Sequence, residues 1–265
     1  MSITSTLVHR AEIRFHEAAN VLHPYIGCFW VVTAERDATI RVVPDGSTSI
    51  SIQLQNGRPS GWVLRGPLVR PDERRFASPA ILVGVRLRPG VAFILSGMPS
   101  HATVGRRVKL TAARFRDLVA PDILERTPET YIDALQRFLI ERLRNASVHP
   151  VVAKAVQEIE REHGLSRVSD IAARCGVSAR HLNRLMRLWV GYGPKSFASV
   201  VRFQATLKEI DHSPAQPAAR LASETGYFDQ AHLTLALGRF AGETPRRLAT
   251  TSVSDFSKTR CDDAL

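Results

Sequence analysis

Cysteine is nearly absent from this chain. Cys28, Cys175 and Cys261 are three among 265 residues, widely spaced and without a Cys-x-x-Cys pair. That pattern supports neither a zinc ribbon nor a disulfide framework. Long apolar runs are missing too. None nears the roughly 18 residues of a membrane span. The N-terminal MSITSTLVHRAEIRF has no apolar stretch of signal-peptide length, so a cytoplasmic protein is expected. Acidic residues are in deficit, 25 against 36 basic, for a net charge of +11. Such an excess favours polyanionic partners: nucleic acid, an anionic membrane or a phosphorylated ligand. The plainer alternative is a basic surface that serves solubility. Hydrophobic content of 44% and charge of 23% are ordinary for a soluble globular protein, and the length suits two domains or one large one.

What is present divides near residue 150. The first half reads as β. FWVVTA (29–34), TIRVVP (39–44), TSISIQL (48–54), GWVL (61–64) and AILVGVRL (80–87) are short, rich in Val and Ile, and separated by Asp-Gly, Asn-Gly and Pro turns. From about Leu110 the spacing turns helical, over AARFRDLV (112–119) and PETYIDALQRFLIERLRNA (128–146). In the second of these, Ile132, Leu135, Phe138, Leu139 and Leu143 share a face. NASVHP (145–150) forms a junction, and helical spacing then continues to about Ala249. The polar tail beyond it is expected to be frayed. Residues 1–150 hold 20 basic and 13 acidic side chains, so the β half is basic in its own right.

The stretch CGVSARHLNRLMR (175–187) is the most informative. Ser178 suits a helix N-cap. Leu182, Leu185, Met186 and Trp189 fall at i, i+3, i+4 and i+7 and form an apolar face. Arg180, Asn183, Arg184 and Arg187 follow the same rhythm on another face. Before them VSDIAARCG (168–176) reads as a short helix, with Gly176 permitting a tight turn. This is a helix-turn-helix, whose second helix can enter a major groove. Arg can donate a bidentate pair to guanine and Asn can pair with adenine; further basic residues can neutralise phosphate. The alternative is a solvated helix face, as charged faces usually are. His181, with no partner at i+4, reads as a packing or capping residue rather than a metal ligand.

The unit recurs. Leu182, Met186, Trp189, Gly191, Pro194 and Phe197 return 51 residues later as Leu233, Leu237, Phe240, Gly242, Pro245 and Leu248. Upstream, Ile171 and Gly176 return 50 residues later as Leu221 and Gly226, so the second turn is one residue longer. A helix over about Lys195–Ile210 should hold the two motifs apart. Through the repeat, Arg180, Asn183, Arg184 and Arg187 become Ala231, Thr234, Leu235 and Gly238. The second helix has lost its cationic face, so the first motif is expected to carry most sequence readout.

On DIAARCGVSARHLNRLMRLWVGYGPKSF and LASETGYFDQAHLTLALGRFAGETPRRL, the chain resembles the AraC/XylS family of bacterial transcription regulators over about residues 150–250. The resemblance implies a transcriptional regulator, an activator, that is not an enzyme and needs no cofactor. By position it puts base-facing residues at Arg180, Asn183 and Arg184, then at Gln230, Thr234 and Leu235. The family commonly has Arg where this chain has Leu235. YIGCFWVV, VVPDGSTSISIQL and GVRLRPG resemble the N-terminal domain of one AraC-like subgroup, with a cupin-like barrel. The implied fold is α+β in two domains: a cupin-like β-barrel for sensing and dimerisation (1–148) with flanking helices, an all-α double helix-turn-helix (149–250), and a flexible tail (251–265). The implied partners are double-stranded DNA, a small effector, RNA polymerase and a second copy of the chain, with no membrane. A cupin-type metal enzyme is the competing class. It would need clustered ligands, whereas His9, His16, His23, His101 and His149 are scattered. A structural nucleoid protein is a third.

LRGPLVRPDERRF (64–76) places Arg65, Arg70, Arg74 and Arg75 between predicted strands. Arg70-x-x-x-Arg74 resembles the RxxxR motif with which PilZ domains grip cyclic di-GMP, and Asp45-Gly46-Ser47 echoes the start of their D-x-S-x-x-G motif. Guanidinium groups bind phosphate bidentately and stack on guanine. Cyclic di-GMP is therefore one expected effector, with Asp45 and Ser47 meeting a guanine edge. A sugar-like ligand in the barrel is the alternative, and a solvated loop paired with Asp72 and Glu73 is the bland one.

Overall fold

The computed structural model describes residues 3–8, 11–55, 58–111 and 127–250. The expected helix at 112–119 and the tail from 251 lie outside them. The N-terminal part is an antiparallel sheet of seven strands in the order β1-β2-β3-β8-β5-β6-β9. These are β1 Ile3–Val8, β2 Ala11–His16, β3 Ile26–Ala34, β5 Thr48–Gln55, β6 Arg58–Arg65, β8 Ala80–Leu87 and β9 Arg107–Lys109. A separate two-stranded ribbon pairs β4 Ala38–Val42 with β7 Asp72–Phe76. Helices α1 Val91–Ser96 and α2 Pro128–Leu143 belong to this part too.

Period-two alternation gives the sheet two apolar faces. On one face Phe29, Val31, Ile50, Ile52, Leu64, Val83 and Val85 pack under Leu135, Phe138 and Leu139 of α2. On the other, Ile13, Phe15, Trp30, Val32 and Leu82 pack under Ile40, Val42 and Phe76 of the ribbon. The same alternation sends Ser49, Arg65 and Arg86 toward the ribbon. Gly84 lies opposite Trp30 in the β3–β8 register, and a Cβ there would overlap the indole ring.

The five strands expected from the sequence are all present. β1, β2, β7 and β9 are additional. The segment expected to lie between strands contains β7 itself: DERRF has Phe76 as its one apolar residue, and pairing with β4, not hydrophobic pattern, makes it a strand.

The C-terminal part is all-α: α3 Pro150–Arg161, α4 Val168–Arg174, α5 Ala179–Trp189, α6 Pro194–His212, α7 Ala218–Glu224, α8 Gln230–Ala241 and α9 Pro245–Thr250. The long helix α6 serves two cores. Phe197 and Ala198 pack with Ile171, Leu182 and Met186 of the first unit. Phe203, Leu207 and Ile210 pack with Leu221, Leu233 and Leu237 of the second.

The two parts touch directly. Val43, just after β4, is buried in the core of the second helical unit. Gln204 Nε2 donates to the Pro44 carbonyl at 2.6 Å. Gly46 (φ +81°) leaves its Cβ position 2.6 Å from the Phe197 ring. Ser100 Oγ donates to the Trp189 carbonyl at 2.6 Å, the Tyr192 hydroxyl donates to the Leu68 carbonyl, and Phe93 packs on Trp189. Arg41 spans ribbon and helices, donating to Glu73 at 2.9 Å and to Glu243 at 2.8 Å.

Gly84→Ala should destabilise the N-terminal part by about 1–3 kcal/mol, the usual cost of overpacking. Urea unfolding followed by tryptophan fluorescence would measure this; an unchanged midpoint would mean Trp30 can move aside.

Candidate nucleic-acid interface and a buried arginine cavity

The first helical unit is built as its sequence requires. Ser178 is the N-cap of α5, its hydroxyl accepting from the His181 amide at 3.2 Å. Leu182, Leu185 and Met186 are buried. The turn between α4 and α5 holds Gly176 at φ +69°, a left-handed conformation that glycine adopts without penalty. Arg180, Asn183, Arg184 and Arg187 are exposed. Arg184 Nη2 lies 3.3 Å from His181 Nδ1, and the Asn183 amide oxygen rests against Gly193. No carboxylate lies in ion-pair reach of Arg180, Arg184 or Arg187 among the described residues. By contrast, Arg161 and Arg174 pair with Glu158 and Glu162, and Arg220 pairs with Glu224 at 2.8 Å. Arg187 sits at the edge of the face: with His101, Val69 and Arg239 it lines an open cleft of about 270 Å³ between the two parts.

The second unit repeats the backbone but not the charge. Asp229 caps α8, accepting from the His232 amide at 2.7 Å. Gln230 is exposed, and the Thr234 hydroxyl donates back to the Gln230 carbonyl at 2.8 Å. Leu235 is 73% exposed and Phe228 in the turn 92%. Gly238 is exposed, with nothing within 4 Å of a Cβ. Arg202 of α6, not singled out from sequence, ties the units together. It donates to the Gly164 carbonyl at 2.8 Å and the Gly226 carbonyl at 3.1 Å, and lies over the Tyr227 ring at 5.6 Å. Nothing in its sequence setting separates it from other helix arginines.

The expected effector residues divide. Asp45, Ser47, Arg65 and Arg74 line one partly open cavity of about 40 Å³ beneath the ribbon, with Arg86 beside them. Arg70 and Arg75 are exposed and do not line it. The cause is the β7 alternation, which sends Arg74 inward and Glu73 and Arg75 outward; Arg70 precedes the strand. Asp45 accepts from Arg86, and from the Ser47 amide and hydroxyl at 2.8 Å each. Arg74 donates to Asp72 at 3.3 Å; burial pulls its pKa down, partly opposed by Asp72. Arg65 is 9% exposed and its Nε has no hydrogen-bond partner among the described residues. Burial first, then the charges of Arg74 and Arg107, lower its pKa to about 9. Arg86 was missed from sequence, although an arginine inside the apolar strand AILVGVRL was the available signal.

Among the described residues no group of three or more His, Cys, Asp or Glu side chains is placed to hold a metal ion. No helix among them is long and apolar enough to cross a membrane.

Residues 171–251 match a family model described as a helix-turn-helix domain, and residues 14–109 match one described as a domain of unknown function (DUF6597). ToxT from Vibrio cholerae superposes over 81% of this chain and 97% of its own, at 8% identity and a TM-score of 0.43. ToxT from Vibrio cholerae O395 bound to (E)-4-(8-methylnaphthalen-1-yl)but-3-enoic acid does so over 81% and 98%, at 9% identity and a TM-score of 0.45. The AraC-like transcriptional activator CuxR covers 67% and 74%, at 11% identity and a TM-score of 0.28. No curated protein matches the chain in sequence. With its duplicated units, the C-terminal part is an AraC-type helix-turn-helix domain, a DNA-binding domain.

Because a methyl group at position 238 would meet open space, Gly238→Ala should stabilise α8 by about 0.5–1 kcal/mol. A thermal melt of the full chain would register this as a raised second-unit transition; a lowered one would mean position 238 is not free helix surface.

Proposed function

We propose that α5 is the principal base-reading helix of this regulator and that the N-terminal part senses a small effector through the cavity beneath its ribbon. One observation carries the first half: three exposed arginines and an asparagine share the outer face of α5, and none of the arginines has a carboxylate partner among the described residues, while neighbouring arginines on α3, α4 and α7 do. Unneutralised guanidinium groups beside a capped helix N-terminus suit a polyanion's groove. Arg180, Asn183 and Arg184 take the base edges. Arg187, nearer the interdomain cleft, takes a phosphate. The second unit, through Gln230 and Thr234, positions the domain and adds little charge. The family resemblance adds activation, a homodimer presenting two such domains, and contact with RNA polymerase on the same DNA.

For the effector, a cyclic di-GMP grip by Arg70 and Arg74 would need both guanidinium groups on one surface. Arg74 faces the cavity and Arg70 the solvent, and about 40 Å³ accommodates only a few water-sized groups. Effector recognition is therefore assigned to the cavity residues Arg65, Arg74, Asp45 and Ser47, not to the RxxxR pair.

Arg184→Ala should cost roughly 1–3 kcal/mol at the specific operator and much less on random DNA. Equal losses on both, read by fluorescence anisotropy, would reduce Arg184 to a phosphate contact. Leu235→Arg should strengthen general DNA binding and steepen its salt dependence by about one phosphate contact. Unchanged affinity and slope would mean that α8 does not lie against the duplex.

A further inference from the structure

The cavity under the β4–β7 ribbon carries an imbalance that its own residues do not resolve. Three guanidinium groups, Arg65, Arg74 and Arg86, line it against a single carboxylate, Asp45. Arg86 is matched by Asp45 and Arg74 by Asp72 at the rim. Arg65 has no carboxylate within ion-pair distance, Asp72 acting on it only from further off, and its Nε has no hydrogen-bond partner among the described residues, although the side chain is nine-tenths buried. Burying a charge without a partner is costly, and proteins ordinarily avoid it unless something occupies the gap. The depressed pKa of Arg65 records the same strain, set first by burial and then by Arg74.

We propose that this cavity is a receptor site for a small oxyanion, a phosphate-type or carboxylate-type group, held by Arg65 with Arg74 and Arg86. The proposal deepens the effector-sensing reading above and rests on it. Size limits the ligand's bound group. About 40 Å³ holds the equivalent of a few waters, which suits a carboxylate or a single tetrahedral oxyanion and not a nucleotide. Chemistry sets the sign: guanidinium forks donate to two oxygens in parallel, and the Ser49 hydroxyl on the same wall can donate to a further oxygen.

The site also lies where binding can be felt. An incoming anion competes with Asp45 for Arg86. Asp45 adjoins Gly46, which rests on Phe197 of α6, and Pro44, whose carbonyl accepts from Gln204. Leu68 lines the cavity, and its carbonyl accepts from Tyr192 at the end of the first helical unit. Releasing Asp45 therefore alters the turn seated on α6, giving the anion different affinities for two arrangements of the chain.

Full-length protein should be melted in chloride buffer with added inorganic phosphate or pyruvate at matched ionic strength. At ten times its dissociation constant the bound anion should raise Tm by about 3–6 °C, while chloride alone does not. A response to phosphate only, or to pyruvate only, supports the site and identifies the source of the oxyanion. Arg65→Met should abolish the response and, in anion-free chloride, melt at or above wild type, because an uncompensated charge has gone. Asp45→Asn should bind the anion more tightly, and Arg70→Gln should respond as wild type does. The proposal is overturned if neither anion raises Tm at millimolar concentration, if Arg65→Met responds undiminished, or if Arg65→Met melts below wild type or fails to fold. Operator binding by wild type is read separately by anisotropy. Its absence would overturn the DNA-reading role and leave the cavity standing, whereas intact operator binding without an anion response removes the cavity alone.

Discussion

One short segment, Val43–Gly46, seats the sheet part of this molecule on the long helix α6. Val43 is a residue of the sheet part by sequence and of the helical core by packing, buried among Phe203, Leu207 and Leu237. Full burial of such a side chain contributes about 1.5–3 kcal/mol, and the hydrogen bond from Gln204 to Pro44 fixes its direction. Gly46 then has to lie against Phe197 with a positive φ, an approach that a larger residue would obstruct. The two parts consequently meet through a packed contact and not through a loose linker alone.

That contact explains why the cavity and helix α5 share neighbours. The same helix α6 that carries Phe197 also holds Arg202, which ties the loop before α4 to the turn before α8. The ribbon that roofs the cavity carries Arg41, whose guanidinium bridges Glu73 of the ribbon and Glu243 of the second helical unit and is held more basic than usual by both carboxylates. A packed network of this kind has few continuous deformations open to it, so a change at Asp45 has defined places to go: Phe197 through Gly46, and Tyr192 through Leu68.

The two recognition helices show how a duplicated backbone can diverge in chemistry. Both units keep a capped N-terminus, a left-handed glycine in the turn and a buried apolar face on the second helix. Packing fixes those features, because each core fails without them. The outward face is free of that constraint, and there the first unit holds arginine while the second holds Leu235 and Gly238. Charge on one helix and its loss on the other are what the proposed readout by α5 rests on.

The double helix-turn-helix was legible from sequence because its signals are local: a cap three residues before the amide it serves, an apolar rhythm of 3.6, and a glycine between them, repeated at a near-constant offset. The central strands were legible for the same reason, through Val- and Ile-rich alternation. Strand β7 was not, because DERRF has no apolar pattern and becomes a strand only by pairing with β4. Nor could spacing tell which arginines meet. Arg70 and Arg74 look like a pair in sequence, yet strand alternation turns Arg74 inward and leaves Arg70 in solvent. Arg65, Arg74 and Arg86 come from three different strands, β6, β7 and β8. Only the folding of a ribbon over a sheet brings them to one cavity, since side-chain direction in a strand is local but the identity of the opposing strand is not.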